Sequence, residues 1–245
     1  MSDTNIYDPA FIAKLFDEMS GTYGAVNLIS SFGFCVIWRG VCLRQLPLKP
    51  GMRVYDLMSG MGELWPGIHP RIAPGGQIHA VDISPVMCSR AEKTSARCRA
   101  AKVPVQVLRA DVLENDLPDA SADAISCSFG LKTFSLEQQR TLARQIFRLL
   151  KPGASFSFLE ISVPGSAFLR IPYLFYLTHI IPILGWMFLG NPDNYRYLSR
   201  YTKAFGNVSH FSQALTDEGL TVKQFAHFFG CATGVTGSRP IRTEA

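Results

Sequence analysis

The sequence predicts an α/β fold with a mostly parallel, seven-stranded sheet and helices on both of its faces. From Arg53 onward, short apolar runs of strand length alternate with helical segments, as in βαβ units. The first run leads into a glycine loop that opens a helix, and two more runs of strand length come late in the chain. The 245 residues are 47% hydrophobic and 18% charged, which suits one folded domain with an insertion and excludes a disordered chain.

The elements follow from hydrophobic spacing. Residues 1–50 predict a helical cap, because apolar residues recur at helical spacing around Leu15 and again around Ile37. The predicted strands are 53–58, 77–82, 105–109, 123–128, 155–161, 221–226 and 232–237. The predicted helices of the sheet domain are 63–72, 85–101, 136–149 and one near 209–218.

A strongly apolar segment, residues 167–190, follows the fifth predicted strand. It is long enough to span a bilayer, but it contains Arg170 and His179, and a true span would divide the sheet across a membrane. We expect either a buried capping helix or a helical lid over a substrate site, with part of the lid in contact with a membrane surface. The domain assignment is a cap at 1–50, a catalytic domain at 51–240 with the lid insertion at 165–205, and a tail at 241–245.

Charge and cysteine content narrow the function classes. The net charge of +5 is spread along the chain and does not indicate nucleic acid binding. The six cysteines form no C-x-x-C pair and fit no zinc spacing. The N-terminal residues show neither the basic nor the apolar region of a secretory signal, so we expect a cytoplasmic protein, peripheral on the inner membrane face if the lid meets lipid. The oligomeric state is left open.

The segment Asp56 to Glu63 predicts a ligand site. A strand runs into a loop with Gly60 and Gly62, where the backbone approaches a ligand closely and the following helix offers free N–H groups. The second predicted strand ends at Asp82, at the offset that suits hydrogen bonding to a ribose diol. Trp65 stands where a dinucleotide fingerprint has its third glycine, which favours a smaller nucleoside ligand over NAD.

Two further strand ends carry polar residues. Asp111 follows the third predicted strand, and Ser128-Phe129-Gly130 ends the fourth. Because the carboxyl ends of parallel strands meet at one edge of a sheet, these residues and the glycine loop predict a single binding edge.

On these motifs the chain resembles a class I S-adenosylmethionine (SAM)-dependent methyltransferase, with a Rossmann-like fold. It is most similar to the family that C-methylates the ring in ubiquinone and menaquinone biosynthesis. The resemblance covers roughly residues 12–240. It is carried by Phe16-Asp17, Tyr23, Asn27, Ser31-Phe32-Gly33, Trp38-Arg39, Asp56 to Glu63, Asp82, Ser128-Phe129-Gly130-Leu131, Lys151-Pro152-Gly153, Leu159-Glu160 and Tyr195-Arg196-Tyr197-Leu198.

The resemblance implies SAM as cofactor and assigns residues to it. Asp82 takes the ribose hydroxyls, Asp111 with Val112 holds the adenine, and Ser128 lies beside the methionine moiety. Tyr23 comes from the cap to cover the cofactor. The loop residues of the site are Asp56, Gly60, Met61 and Gly62.

The sequence departs from the family at two places that bear on chemistry. Met61 stands where a threonine is usual, and the loop ends in Glu63 where the family has an aspartate. After Ser128-Phe129-Gly130-Leu131 the family continues Arg-Asn, whereas this chain has Lys132-Thr133. Lysine lacks the planar fork of arginine and loses its proton more readily when desolvated. The resemblance makes C-methylation of a quinone-like ring the main hypothesis. The departures from the family favour two alternatives, which are SAM-dependent amination of ubiquinone to rhodoquinone and methylation of an aromatic secondary metabolite.

A ring carbon becomes nucleophilic when a neighbouring hydroxyl loses its proton, so a base or a cation near the ring assists the reaction. The catalytic candidates are Lys132, Tyr195 and His179. No metal is required for methyl transfer, and no spacing indicates a metal site. A divalent ion at the strand ends remains compatible with the acidic residues there. An NAD-linked oxidoreductase and a non-catalytic lipid-binding protein are the remote alternatives.

Overall fold

The structure is a computed structural model, and it describes residues 5–99, 102–187 and 192–241. Its strands are β1 (Arg53–Leu57), β2 (Gln77–Asp82), β3 (Val105–Arg109), β4 (Ala122–Ser128), β5 (Leu150–Ile161), β6 (Thr221–His227) and β7 (Ala232–Ser238). Its α-helices are α1 (Pro9–Met19), α2 (Tyr23–Ser30), α3 (Phe34–Arg44), α4 (Trp65–Ile72), α5 (Pro85–Arg99), α6 (Leu136–Leu149), α7 (Ala167–Phe175), α8 (Ile181–Met187), α9 (Pro192–Phe205) and α10 (Ser209–Asp217). A π-helical turn, Tyr176–Ile180, joins α7 to α8, and 3-10 turns lie at Leu131–Thr133 and Phe228–Gly230.

The seven strands form one sheet in the order β3-β2-β1-β4-β5-β7-β6. Strands β1 to β5 run parallel, and β7 lies antiparallel to both β5 and β6. This confirms the predicted mostly parallel sheet of a Rossmann-like fold. The strand order reverses between β1 and β4, which is where open α/β sheets bind ligands, beyond the carboxyl ends of the strands.

The predicted strands and helices all occur, with shifts at some of their ends. Strand β5 begins at Leu150 instead of 155, because Leu150 already pairs with Ala122 of β4; after a register shift the pairing resumes between Ser155 and Ala124. Helix α4 begins at Trp65 instead of 63, and Pro66 occupies its first turn, where a missing N–H is tolerated. Helix α5 is described as far as Arg99, and the last two residues of the predicted helix lie outside the described part of the chain.

Apolar side chains fill the space on both faces of the sheet. On one face Phe158 packs edge to face against Phe211 of α10, with α6 beside them. On the other face Val54 packs with Trp65 of α4 and with residues of α3 and α5. Four of the five residues of β1 are buried, as expected of a central parallel strand covered by helices on both sides.

The cap helices and the insertion lie together over the carboxyl edge of the sheet. Side-chain hydrogen bonds join the cap to α5, to α9 and to the π-helical turn, and Tyr201 of α9 donates to the carbonyl of Ile6. The joining pairs are Asp17 Oδ1 with Ser84 Oγ (2.6 Å), Thr22 Oγ1 with Tyr195 Oη (2.8 Å) and Ser30 O with Tyr176 Oη (2.7 Å).

One helical stretch in the described part, Ala167–Met187, is long and apolar enough to cross a membrane, and only 17% of its most apolar window is buried. Helices α2 and α3 pass the same test together, but they are bent by 93° at the break between them. The stretch 167–187 is therefore not a buried capping helix, which was one of the two expectations for it.

Candidate active site

The loop between β1 and α4 adopts left-handed backbone conformations. Met58, Gly60 and Gly62 have φ angles of 51°, 56° and 87°, a region open to glycine but costly for a larger residue. A methyl group on Gly62 would lie 2.5 Å from the ring of Trp65, so only glycine fits there. A methyl group on Gly130 would lie 2.6 Å from Met58 Cβ. The loops that follow β1 and β4 therefore approach each other more closely than side chains allow.

Asp56 is held beneath the glycine loop. Its Oδ2 accepts a hydrogen bond from Trp65 Nε1 (2.9 Å) and its Oδ1 accepts one from Ser126 Oγ (3.0 Å). Burial raises the pKa of Asp56 to about 8, although both hydrogen bonds favour the ionised form. Trp65, at the place of the third glycine of a dinucleotide fingerprint, thus fixes the carboxyl group under the loop.

Asp82 joins the ends of β1 and β2. Its Oδ2 accepts from the backbone N–H of Gly60 (2.8 Å), and its Oδ1 accepts from the backbone N–H of Ser84 (2.9 Å). Burial raises the pKa of Asp82 to about 6. Each oxygen keeps a further lone pair, so the carboxylate can accept ribose hydroxyls while it holds the glycine loop in place.

A first cavity of about 910 Å³, open mouth included, lies over these loops. Seven of the nine residues predicted to bind the cofactor line it: Tyr23, Asp56, Gly60, Asp82, Asp111, Val112 and Ser128. The other two do not: Met61 packs beside Gly24 of α2, and Gly62 lies over Trp65. Asp111 is oriented by a hydrogen bond from Leu113 N to its Oδ1 (2.9 Å).

Three buried polar atoms at this cavity lack a hydrogen-bond partner: Ser59 Oγ, Glu63 Oε1 and Arg39 Nε. Glu63 Oε1 and the guanidinium of Arg39 lie 3.7 Å apart, and Arg39 also lies over the ring of Phe129. The methionine moiety of SAM carries a carboxylate and an ammonium group, which need a cation, an anion and further hydrogen-bond partners. The residues present therefore fit SAM. Sequence reasoning assigned no cofactor role to Ser59, Glu63 or Arg39, although each lies in a segment that carried the resemblance.

The N-terminal helix covers the first cavity. Ile12 and Phe16 of α1 line it, and so does Tyr7 just before the helix. Asp17 fixes the end of α1 to the start of α5, through Ser84 Oγ and the backbone N–H of Val86. The sequence gives Ile12 and Phe16 no role at the site, although Phe16 belongs to a motif that carries the resemblance, because their contact with the cavity depends on long-range packing.

A second cavity of about 740 Å³, again with its mouth, lies between the cap and the insertion. Tyr23 and Phe129 line both cavities and separate them. Burial raises the pKa of the Tyr23 hydroxyl far above its ordinary value, so the phenol stays neutral. The other lining residues are mainly apolar and aromatic or carry a hydroxyl: Asn27, Ser30, Ser31, Cys35, Trp38, Lys132, Ile161, Tyr173, Tyr176, Leu177, Ile181, Leu198, Ser199 and Thr202.

Lys132 is the one lysine or arginine among the residues that line the second cavity. Its Nζ donates to Glu160 Oε1 (2.9 Å) and to the carbonyl of Phe129 (2.8 Å). Glu160 also accepts from the backbone N–H groups of Lys132 (3.0 Å) and Ile161 (2.7 Å). Both side chains of the ion pair are almost fully buried. Glu160 thus fixes the turn after β4, and one N–H of the Lys132 ammonium group is left for a ligand.

The other two catalytic candidates do not line either cavity. Tyr195 is fully buried in α9, and its hydroxyl is engaged with Thr22. His179 is exposed on the π-helical turn, with its ring 4.8 Å from that of Phe175. Tyr195 shares one side of α9 with the lining residues Leu198 and Thr202, but it lies a turn before them and packs against α8. His179 lies on the solvent side of the π-helical turn.

Within the described residues, no three His, Cys, Asp or Glu side chains are grouped in a way that could hold a metal ion. Glu160 points at Lys132, while Asp56 is used by Trp65 and Ser126. The acidic residues at the strand ends are therefore engaged separately.

Comparison with known proteins gives a consistent result. Residues 4–238 match the model of the ubiE/COQ5 methyltransferase family. A demethylmenaquinone methyltransferase of Thermus thermophilus is 29% identical over 226 residues, which is 92% of this chain and 100% of that protein. A ubiquinone/menaquinone biosynthesis C-methyltransferase of Serratia proteamaculans is 31% identical over 190 residues, or 78% of this chain and 74% of that protein.

Solved structures agree in fold. A SAM-dependent methyltransferase-like protein of Methanococcus maripaludis has a TM-score of 0.61 at 21% identity, covering 99% of this chain and 98% of its own. A phosphoethanolamine N-methyltransferase of Haemonchus contortus, solved with SAM, has a TM-score of 0.60 at 16% identity, covering 82% of this chain and 52% of its own. At these identities the likeness shows the fold alone.

Proposed function

This chain belongs to the ubiE/COQ5 methyltransferase family, and on that premise we propose that it transfers a methyl group from SAM to a ring carbon of a lipophilic quinone precursor. The observation that carries the proposal is the pair of cavities that meet at Tyr23 and Phe129. The first has acidic residues at strand ends, as a nucleoside requires, and the second is mainly apolar. A transferase needs its two reactants at one junction, and this arrangement supplies it.

The residues of the first cavity suit the three parts of SAM. Asp82 accepts from the ribose hydroxyls, while Asp111 and Val112 lie where the adenine packs. Arg39 and Glu63 offer opposite charges to the methionine carboxylate and ammonium groups. When bound, SAM supplies a methyl group on a sulfonium, which is electrophilic without help from a metal.

The chain supports the transfer by position and by charge. Helix α1 and Tyr23 cover the first cavity and exclude water, and the apolar wall of the second orients the ring. When the ring hydroxyl ionises, negative charge develops on its oxygen. Lys132 lines the second cavity. The N–H of its ammonium group that is not used by Glu160 or Phe129 stabilises that oxygen in our proposal. Among the described residues, no Asp or Glu lines that cavity to take the proton of the ring hydroxyl. The proton therefore passes to solvent at the mouth of the cavity.

One observation favours a second candidate, the replacement of a methoxy group of ubiquinone by an amino group. Lys132 and Thr133 stand where the family has Arg-Asn, and Lys132 lies at the second cavity. Lysine differs from arginine in shape and loses its proton more readily when desolvated. Its presence beside the ring therefore favours a different reaction at the ring. In that exchange ammonia attacks the ring carbon and a carbon–nitrogen bond forms. A proton passes from the nitrogen to the methoxy oxygen, and the methoxy group leaves as methanol.

The test is a mass-spectrometric assay of the purified protein with SAM, an ammonium salt and two short-chain substrates. One is demethylmenaquinone held in its reduced form, and the other is ubiquinone. Methylation adds one CH₂ unit to the first and yields S-adenosylhomocysteine, whereas amination lowers the mass of the second. Asp82→Ala is the control, since it should lose product together with SAM affinity.

A CH₂ gain supports C-methylation, and the mass loss supports amination in its place. SAM binding without turnover of either quinone would contradict both proposals and would favour a non-catalytic lipid-binding protein. Turnover of a polar substrate at full rate, with neither quinone modified, would also refute them.

A further inference from the structure

The insertion, which forms part of the wall of the second cavity, is mainly apolar on its outer side as well. In the stretch 167–187, Tyr173, Leu177 and Ile181 face inward to the cavity, while Phe168 and Ile171 are 85% and 71% exposed. A helix at the surface of a soluble protein normally turns charged residues to water on its outer side. This one turns aromatic and aliphatic side chains outward.

Two other segments extend the same surface. Phe32, in the turn between α2 and α3, is 79% exposed, and its ring stacks on Tyr176 of the insertion. Phe229, in the turn between β6 and β7, is 76% exposed. The ring centroid of its neighbour Phe228 lies 4.6 Å from that of Phe34 of α3. These contacts connect residues 28–37, 168–187 and 228–229 into one surface, called here the outer face.

The backbone at the outer face is held in a costly conformation. Phe32, Phe228 and Phe229 have φ angles of 50°, 48° and 57°. Bulky residues rarely adopt this region, and structures that keep it do so where the surroundings enforce it. Here the strained turns hold aromatic rings toward solvent.

The distribution of charged residues indicates which kind of partner the outer face binds. Residues 19–55, 161–192 and 219–243 contain the whole outer face and hold no aspartate or glutamate. They do contain exposed cations, among them Arg170. Helix α9, which packs beside α8, carries Arg196, Arg200 and Lys203 on one exposed side. A face of aromatic rings whose own segments contain basic but no acidic residues is complementary to an anionic lipid surface. An acid does lie beside α9, where Glu18 accepts a hydrogen bond from Asn194.

We propose that the outer face docks this protein on the surface of an anionic bilayer, with the exposed rings of 28–37, 168–187 and 228–229 in the interface between headgroups and acyl chains. The proposal does not depend on which group the enzyme transfers, and it requires no substrate. It places the apolar walls of the second cavity directly against lipid.

The chain offers a matched pair of variants for the test. Ile171 lies on the outer face, and Ile241 has the same 71% exposure at the opposite edge of the sheet. Ile241 follows β7, whose last residue, Ser238, pairs with Ser155 near the start of β5. The full chain and the variants Ile171→Ser, Ile241→Ser and Phe32→Ser are mixed with vesicles of phosphatidylcholine alone, or with added phosphatidylglycerol, and separated by flotation.

We expect the wild type to float with the anionic vesicles and much less with the neutral ones. Ile171→Ser and Phe32→Ser should each lower the partition coefficient about tenfold, since each removes one buried apolar side chain from the interface. Ile241→Ser should leave it unchanged. Circular dichroism confirms that each variant is folded, and SAM binding by calorimetry should remain the same in all of them.

Several results would overturn the proposal. Wild-type protein that stays with neither vesicle refutes docking, and equal binding to both vesicles refutes the electrostatic part. An equal loss for Ile171→Ser and Ile241→Ser means that the outer face is not special. A dimer in solution that Ile171→Ser dissociates assigns the face to a second copy, and protein that resists extraction by alkaline carbonate assigns 167–187 to a span.

Discussion

The ion pair between Lys132 and Glu160 offers the sharpest test of the active-site geometry. Lys132→Met keeps the length of the side chain but removes its charge. It leaves the carboxylate of Glu160 buried with two backbone N–H donors and no cation. Breaking a buried pair by removing one partner destabilises a protein by about 3–5 kcal/mol. We expect a loss near the lower end of that range, because the two backbone donors remain.

The second effect of the same change is on the reaction. If the Lys132 ammonium group stabilises charge on the ring oxygen, its removal lowers the rate of transfer ~100-fold or more, while the affinity for SAM changes little. Lys132 lines the second cavity and not the first, which is why the two effects separate. Single-turnover assays with folded enzyme in excess measure the rate, and urea unfolding measures the stability.

A double variant separates charge balance from catalysis. Lys132→Met with Glu160→Gln removes both charges, so it should be more stable than Lys132→Met alone by about 0.5–3 kcal/mol, the scale of coupling between groups in contact. It should remain as slow in transfer as Lys132→Met. Lys132→Arg keeps the charge, but it places a larger group in a site that is only 3% exposed, with an overpacking cost of about 1–3 kcal/mol.

Two results would refute this reasoning. If Lys132→Met is destabilised by less than about 1 kcal/mol, the pair is not buried as described. If the double variant transfers at the wild-type rate, Lys132 only fixes the turn after β4 and does not act on the ring.

Three other predictions concern the first cavity and the cap. Asp82→Ala should weaken SAM binding by about 1–3 kcal/mol in calorimetry, and Asp82→Asn, which keeps an acceptor for the Gly60 N–H, should weaken it less; equal affinities would remove Asp82 from the site. The pKa of Asp56, about 8, lies above that of an unfolded chain (~4), so its contribution to stability is complete at low pH and is lost as the pH rises toward 8. Asp56→Asn should flatten that fall in the free energy of unfolding between pH 5 and pH 9, and an unaltered slope would show that this carboxyl does not titrate there. Tyr195→Phe removes the hydroxyl bound to Thr22, so it should cost about 1 kcal/mol of stability and leave kcat within about twofold; a ~100-fold loss of kcat would restore Tyr195 as a proton donor or acceptor.

The strands and the polar residues at their ends could be predicted from the amino-acid sequence alone. Alternating apolar runs identified β1 to β5, because burial in a parallel sheet leaves a local pattern that does not depend on distant residues. Asp82, Asp111 and Ser128 could be assigned to the ligand edge for the same reason, since parallel strands bring their carboxyl ends together. The glycine loop was identifiable because its backbone conformation excludes other residues.

Features that depend on residues far apart in the chain are visible only in the folded protein. Glu160 lies 28 positions from Lys132, and Arg39 meets Glu63 across the cap and the loop, so neither pair leaves a local pattern. The stretch 167–187 has apolar residues on all sides, with Arg170 and His179 as its only ionisable side chains apart from tyrosines. Its hydrophobic periodicity therefore does not show which side faces inward. Packing against α2 and α9 alone made Leu177 part of a cavity wall and turned Ile171 to the outside.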